Sequence, residues 1–147
     1  MPSVFVDTNV ILYSRDRTDP TRWSQARRWL EVLAAHDLAV VSPQVVNEFV
    51  AVSLRRFREV PRDEVHRRAE ELLPWCRVAL DAQTSALAMT VQTRYEISWW
   101  DALIVASALQ AECRYLLSED MQPGMSFGQL TVIHPFETTP QAILDQS

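Results

Sequence analysis

Four acidic residues stand where a packed domain has little reason to place them: Asp7, Glu48, Asp101 and Asp120. Asp7 ends the β-branched and aromatic run Val4-Phe5-Val6, and Asp120 closes Leu116-Leu117-Ser118-Glu119-Asp120, another apolar run ending in a hydroxyl and an acid. Asp101 is the only charge between Ser98 and Gln110, and Glu48 is flanked by apolar residues in Val45-Val46-Asn47-Glu48-Phe49-Val50. Each has a plainer alternative. Asp7 can be a turn or cap residue, Glu48 part of a solvated helix face, and Asp120 a turn acid. Asp101 has the spacing of a capping box begun at Ser98, a role compatible with chemistry because the helix dipole also favours a first-turn carboxylate.

If the four converge, their repulsion demands a counter-charge or raised pKa values. The chain has no Lys, and no Arg is adjacent in sequence to any of the four. A hard divalent cation is the economical partner, and oxygen-only ligands suit Mg²⁺ or Mn²⁺. Such a metal, with room for water and a phosphate, hydrolyses phosphodiesters by lowering the pKa of the attacking water and stabilising the leaving oxygen.

The elements that must position these acids follow from the apolar pattern. Strands are predicted at Val4–Val6, Leu38–Val41, Val78–Leu80, Tyr115–Leu117 and Leu130–Ile133, the first as a strand buried on both faces. Helices are predicted after Thr8-Asn9, over roughly 21–35 with Thr21 as cap, from Ser42-Pro43, from Pro61 to about Leu73, from Ala82 to about Arg94, and from Trp99 to about Ala111. Alternation of strands with helices of this length predicts an α/β fold with a mostly parallel five-stranded sheet. In such a sheet Asp7 and Asp120 end strands, Asp101 begins a helix, and Glu48 follows a strand by seven residues. All four then reach the carboxyl edge, where open α/β sheets build their sites. Residues 1–136 are expected to form a single domain, and 137–147 a loosely held tail with one weak apolar pair, Ile143 and Leu144.

Composition removes other chemistries. All 14 basic residues are Arg, which excludes Schiff-base chemistry, a phosphate-loop lysine and a lysine general base. The 2 glycines, Gly124 and Gly128, cannot form a glycine-rich phosphate cradle. Cys76 and Cys113 are too isolated for a disulfide framework or zinc site and are expected to be buried free thiols. No apolar run approaches the ~20 residues of a membrane span, and no export signal is visible, so a cytoplasmic protein is expected. A net charge of −5 argues against a general nucleic-acid coat.

Val-Asp-Thr-Asn-Val at 6–10, Asn47-Glu48, Trp100-Asp101-Ala102-Leu103-Ile104 and Leu117-Ser118-Glu119-Asp120 together resemble a PIN-domain nuclease, most of all a VapC-type toxin of a bacterial toxin–antitoxin pair. The resemblance extends to Val132-Ile133-His134-Pro135-Phe136. It implies a three-layer α/β/α sandwich, Mg²⁺- or Mn²⁺-dependent endoribonuclease activity, frequent homodimers and neutralisation by a small cognate antitoxin. Carried over by position, Asp7, Glu48, Asp101 and Asp120 are the metal-binding acids, and Thr8 and Ser118 are supporting polar groups. Asn9 matches the polar residue after the first Asp-Thr, and Ser at 118 in place of Thr is a mild variation.

Two Arg-rich stretches are candidates for RNA phosphates, with solvated helix faces as the alternative. Arg15, Arg17, Arg22, Arg27 and Arg28 form one; Arg55 and Arg56 open the other. Trp23 and Tyr13 are the candidates for stacking on bases, whereas Trp99 and Trp100 are expected in the core. An antitoxin helix is expected to dock on the helices near 21–35 and 43–57, with Trp23, Trp29, Phe49 and Phe57 as anchors. The rivals are narrower. A haloacid-dehalogenase-like phosphotransferase lacks its second Asp, because Asn9 stands there, and its downstream Lys. A catalytically silent RNA- or partner-binding module and a housekeeping nuclease remain open, as does cleavage of DNA.

Overall fold

The computed structural model describes residues 2–145. Its centre is a five-stranded sheet in the order β2-β1-β3-β5-β4. The strands are β1 (Val4–Val6), β2 (Ala39–Val40), β3 (Tyr115–Leu117), β4 (Ser126–Phe127) and β5 (Leu130–Ile133). All pairings are parallel except β4 with β5. Val4, Phe5, Val6, Leu116 and Leu117 are wholly buried, as both-face burial of a central parallel pair requires.

The helices are α1 (Thr8–Tyr13), α2 (Pro20–Ala35), α3 (Pro43–Arg56), α4 (Arg62–Leu72), α5 (Ala82–Tyr95), α6 (Trp99–Gln110) and α7 (Pro140–Leu144). From β1 the chain passes through α1 and α2 to β2; from β2 it returns through α3, α4, α5 and α6, across β1, to β3. α1 packs on α2 and α3, and α3 on α4, while α5 packs on α6, so two helical groups accompany the sheet in the three-layer α/β/α arrangement. Trp29 of α2 and Phe49 of α3 are each 1% exposed. Ala102 to Ala108 of α6 are all buried, which explains a stretch without charge after Asp101.

The predicted third strand at Val78–Leu80 is irregular chain; only Cys76 makes a lone bridge, to Val41. Three apolar residues there satisfied a strand pattern without a partner edge to pair with. The fifth strand is instead β4, only two residues long, turned back onto β5 through Gly128 at φ +62°. The C-terminal segment differs from a loose tail within the described residues: α7 packs on α2 and Ile143 is 3% exposed. Cys113 is buried and Cys76 partly so, and both are free thiols. Trp29, Phe49 and Phe57 cannot anchor a partner, because their rings are already in the core and Trp29 Nε1 donates to Pro135 O at 2.7 Å. Among the described residues no helix is long and apolar enough to cross a membrane.

Candidate active site

The sheet order reverses between β1 and β3, because the chain leaves β1 toward β2 and leaves β3 toward β5. Such a switch point opens a crevice outside the carboxyl ends of the two strands. Val6 pairs with Leu117, so the next residues, Asp7 and Ser118, emerge side by side. Ser118 Oγ donates to Asp7 Oδ2 at 2.9 Å, and the Thr8 amide donates to Asp7 Oδ1 at 2.8 Å. Asp7 is therefore the α1 cap and a site carboxylate at once; the two readings of it do not compete.

Asp7, Glu48, Asp101 and Asp120 all line one cavity of about 190 Å³. Thr8, Asn9, Gln44, Trp100 and Ile104 complete its wall, and no basic side chain is among them. Thr8 Oγ1 donates to Glu48 Oε2 at 3.0 Å, and Gln44 Nε2 to Glu48 Oε1 at 3.1 Å. Asn9 Nδ2 donates to Asp120 Oδ2 at 2.6 Å, while the Asp120 amide donates to Ser118 Oγ at 3.2 Å. Ser98 caps α6 by accepting from the Asp101 amide at 3.1 Å. The Asp101 carboxylate has no hydrogen bond among the described residues, so the capping box is not closed from its side and this acid faces the cavity uncommitted.

The electrostatics are those of uncompensated negative charge. Burial is the main reason that the Asp7 pKa rises from the usual 3.8 to about 6, with smaller upward pushes from Asp120 and Asp101; hydrogen bonds from Ser118 and Thr8 oppose it. The Asp120 pKa is also raised, first by desolvation and then by Asp101 and Glu119, with the Asn9 bond acting against.

The donor set fits a hard divalent ion. Among the described residues no three Asp, Glu, His or Cys side chains stand close enough together to grip an ion unaided. Mg²⁺ does not require that: it usually keeps several waters and uses only one or two carboxylates with substrate phosphate. Gln44 Oε1 adds a further sign of an absent partner, being buried on this wall with no hydrogen bond. Its orientation follows from Nε2, which serves both Glu48 and the Trp100 carbonyl.

Larger cavities, of about 310 and 620 Å³, open among Arg15, Arg17 and their neighbours, but neither gathers the acids. Of the arginines considered for RNA, Arg56 lines a further cavity with Asn9 and Asp120, although it pairs with Asp16 at 3.3 Å. Arg22 is held by Asp19 at 3.1 Å and Glu119 at 3.2 Å. Arg15 reaches Glu71 at 3.6 Å, Arg17 lies over the Trp23 ring, and Arg55 is exposed. Sequence reasoning missed Gln44 and Trp100. Gln44 lies one helical turn before Glu48, a spacing that could have revealed it. Trp100, expected in the core, is 65% exposed, because α6 is enclosed only from Ala102 onward.

The sequence matches the family model described as PIN domain over residues 4–122. FitAcB from Neisseria gonorrhoeae has a similar fold, with a TM-score of 0.66 at 22% identity, covering 92% of this chain and 99% of that one. A toxin–antitoxin complex from Klebsiella pneumoniae gives 0.63 at 16%, covering 90% and 98%. VapC20 of Mycobacterium tuberculosis, described as a sarcin-ricin loop cleaving toxin, gives 0.60 at 21%, covering 80% and 92%. At these identities the likeness establishes the fold. No curated protein matches the sequence.

Proposed function

This chain belongs to the PIN-domain family, and we propose that it is a Mg²⁺- or Mn²⁺-dependent endoribonuclease, the toxin of a type II toxin–antitoxin pair. The observation that carries the reading is the meeting of four carboxylates, from the β1–α1 junction, α3, α6 and the loop after β3, in one cavity whose wall has no basic side chain. The descriptions of similar folds as a toxin–antitoxin complex and as a sarcin-ricin loop cleaving toxin support it.

Asp7, Glu48, Asp101 and Asp120 would hold the ion. When bound, it supplies a Lewis acid for the phosphoryl oxygen and a water of lowered pKa. The chain does the rest. Ser118 and the Thr8 amide fix the rotamer of Asp7, Thr8 and Gln44 that of Glu48, and Asn9 that of Asp120. Asp101 keeps its lone pairs for the ion or for a proton from the attacking water. Arg56, beside Asn9 and Asp120, is the nearest candidate to hold a substrate phosphate. Arg15, Arg17 and Arg55 are further candidates along the surface, and Arg22 is the least available of the five. The partners are an RNA substrate, a cognate antitoxin that sends an Arg or Lys toward the acids, and a second copy of the chain in a homodimer.

Co-expression with the neighbouring reading frame tests the assignment. A stable complex that relieves growth arrest caused by the chain alone is expected. Harmless expression of a chain that still cuts RNA in vitro would make it a housekeeping nuclease.

A further inference from the structure

The acid cavity, at about 190 Å³, is smaller than the roughly 300–1,000 Å³ of pockets that enclose a drug-sized ligand. It has room for a phosphate and its ion, so any nucleobase attached to that phosphate must lie on the rim. A base removed from its stack needs an apolar face to lie against. The two aromatic residues considered from sequence are occupied. Tyr13 meets Phe136 edge-on at 5.3 Å, with the Arg22 guanidinium 5.7 Å from its ring centre. Trp23 lies under both Arg17 and Arg27, each 5.0 Å from its ring centre.

Trp100 is different. It is 65% exposed, has no ring or guanidinium partner among the described residues, and lines the same cavity as the acids. Its backbone is fixed by the Ser98-capped first turn of α6 and by Gln44 Nε2, which donates to its carbonyl at 3.4 Å. A large exposed indole on a rigid turn, next in sequence to Asp101, costs solvation without contributing to the core. We propose that Trp100 is the stacking platform for the nucleobase beside the scissile phosphate, holding the substrate by a contact indifferent to base identity. This rests on the nuclease reading above and adds to it a substrate-positioning residue. Stacking energy is sequence-tolerant because every base has a π-face.

The test compares wild type, Trp100→Ala, Trp100→Phe and, as a similarly exposed control on α5, Met89→Ala. Cleavage of a single-stranded RNA oligonucleotide with Mn²⁺ is measured beside binding, followed by tryptophan fluorescence. Trp100→Ala should raise KM roughly 5- to 150-fold, the range that loss of one stacked base implies, with kcat little changed. Trp100→Phe should restore most of the affinity yet remove the fluorescence quench that RNA produces in the wild type. With an abasic nucleotide flanking the cleaved bond, wild type and Trp100→Ala should converge. An unchanged KM in Trp100→Ala, an equal loss on the abasic substrate, or a loss that tracks a changed oligomeric state would overturn the stacking role; the last would make Trp100 a subunit contact. If the wild type binds RNA with the quench but never cuts it, the nuclease reading falls and the stacking site stands. If it does not bind RNA, both fall.

Discussion

The Asp7 carboxylate caps α1 through the Thr8 amide and takes the Ser118 hydroxyl on its other oxygen, yet burial makes its charge costly. With the folded pKa raised from 3.8 to about 6, the native state binds more protons than the unfolded chain between those values. Metal-free stability should therefore fall as pH rises through that window. A carboxyl moved from 3.8 to about 6 corresponds to roughly 2–3 kcal/mol above pH 6. Asp7→Asn, which keeps an oxygen for the Thr8 amide, should melt several degrees higher than the wild type at pH 7.5 in chelator, since about 1 kcal/mol moves Tm by ~2–4 °C at this size. The gap should close near pH 4; a gap independent of pH would mean that the charge is already compensated. Asp101→Asn should likewise abolish cleavage with thermal stability unchanged or raised, because repulsion is relieved and Ser98, not the carboxylate, makes the observed cap bond. Lost stability with activity retained would return Asp101 to a purely structural role. At this scale sequence carried far: Asp7, Glu48, Asp101 and Asp120 are conspicuous because a charge in an apolar run needs a reason. Trp100 was misjudged because residue type alone argues for burial and cannot say where along α6 the neighbouring layer ends.

Caps and turns decide where each element delivers its residues. Ser42 and Ser98 were legible as helix starts, and each does accept from the amide three residues on. Asp19, not Thr21, caps α2, with Pro20 in the first turn, so a pair read as a turn is the helix start. Ser98→Ala should cost about 1 kcal/mol and loosen the turn that carries both Trp100 and Asp101. The expected reading is a modest drop in Tm with a larger drop in kcat/KM; equal stability and activity would show that this turn is held from elsewhere. At the other end of the same connection, α5 closes at Glu96 in the left-handed region, at φ 54°. Glu96→Gly should stabilise the fold by up to about 1 kcal/mol, read as a rise in Tm, because Cβ crowding there is relieved. The elements that sequence missed are short ones. β4 has two residues and α7 five, too few to set a period, and both exist because β5 and α2 offer them a surface.

The whole molecule turns on the switch between β1 and β3, which brings Asp7 and Ser118 together although 111 residues separate them. Alternating strands and helices made that edge predictable. What no local pattern could supply was the pairing across layers. Arg56, at the far end of α3 from Gln44, lines a neighbouring cavity with Asn9 and Asp120, and Gln44 ties α3 to the first turn of α6. The central claim is that the four carboxylates act as one metal site that cuts RNA. Its most direct measurement is a Mn²⁺ titration of chelator-stripped protein, recording ion binding and cleavage of single-stranded RNA in the same samples. Wild type should be inactive without metal and gain activity in step with saturable binding, while Asp7→Asn and Asp120→Asn should lose both while remaining folded. Cleavage that persists in chelator, or ion binding that is unchanged in those variants, would contradict it.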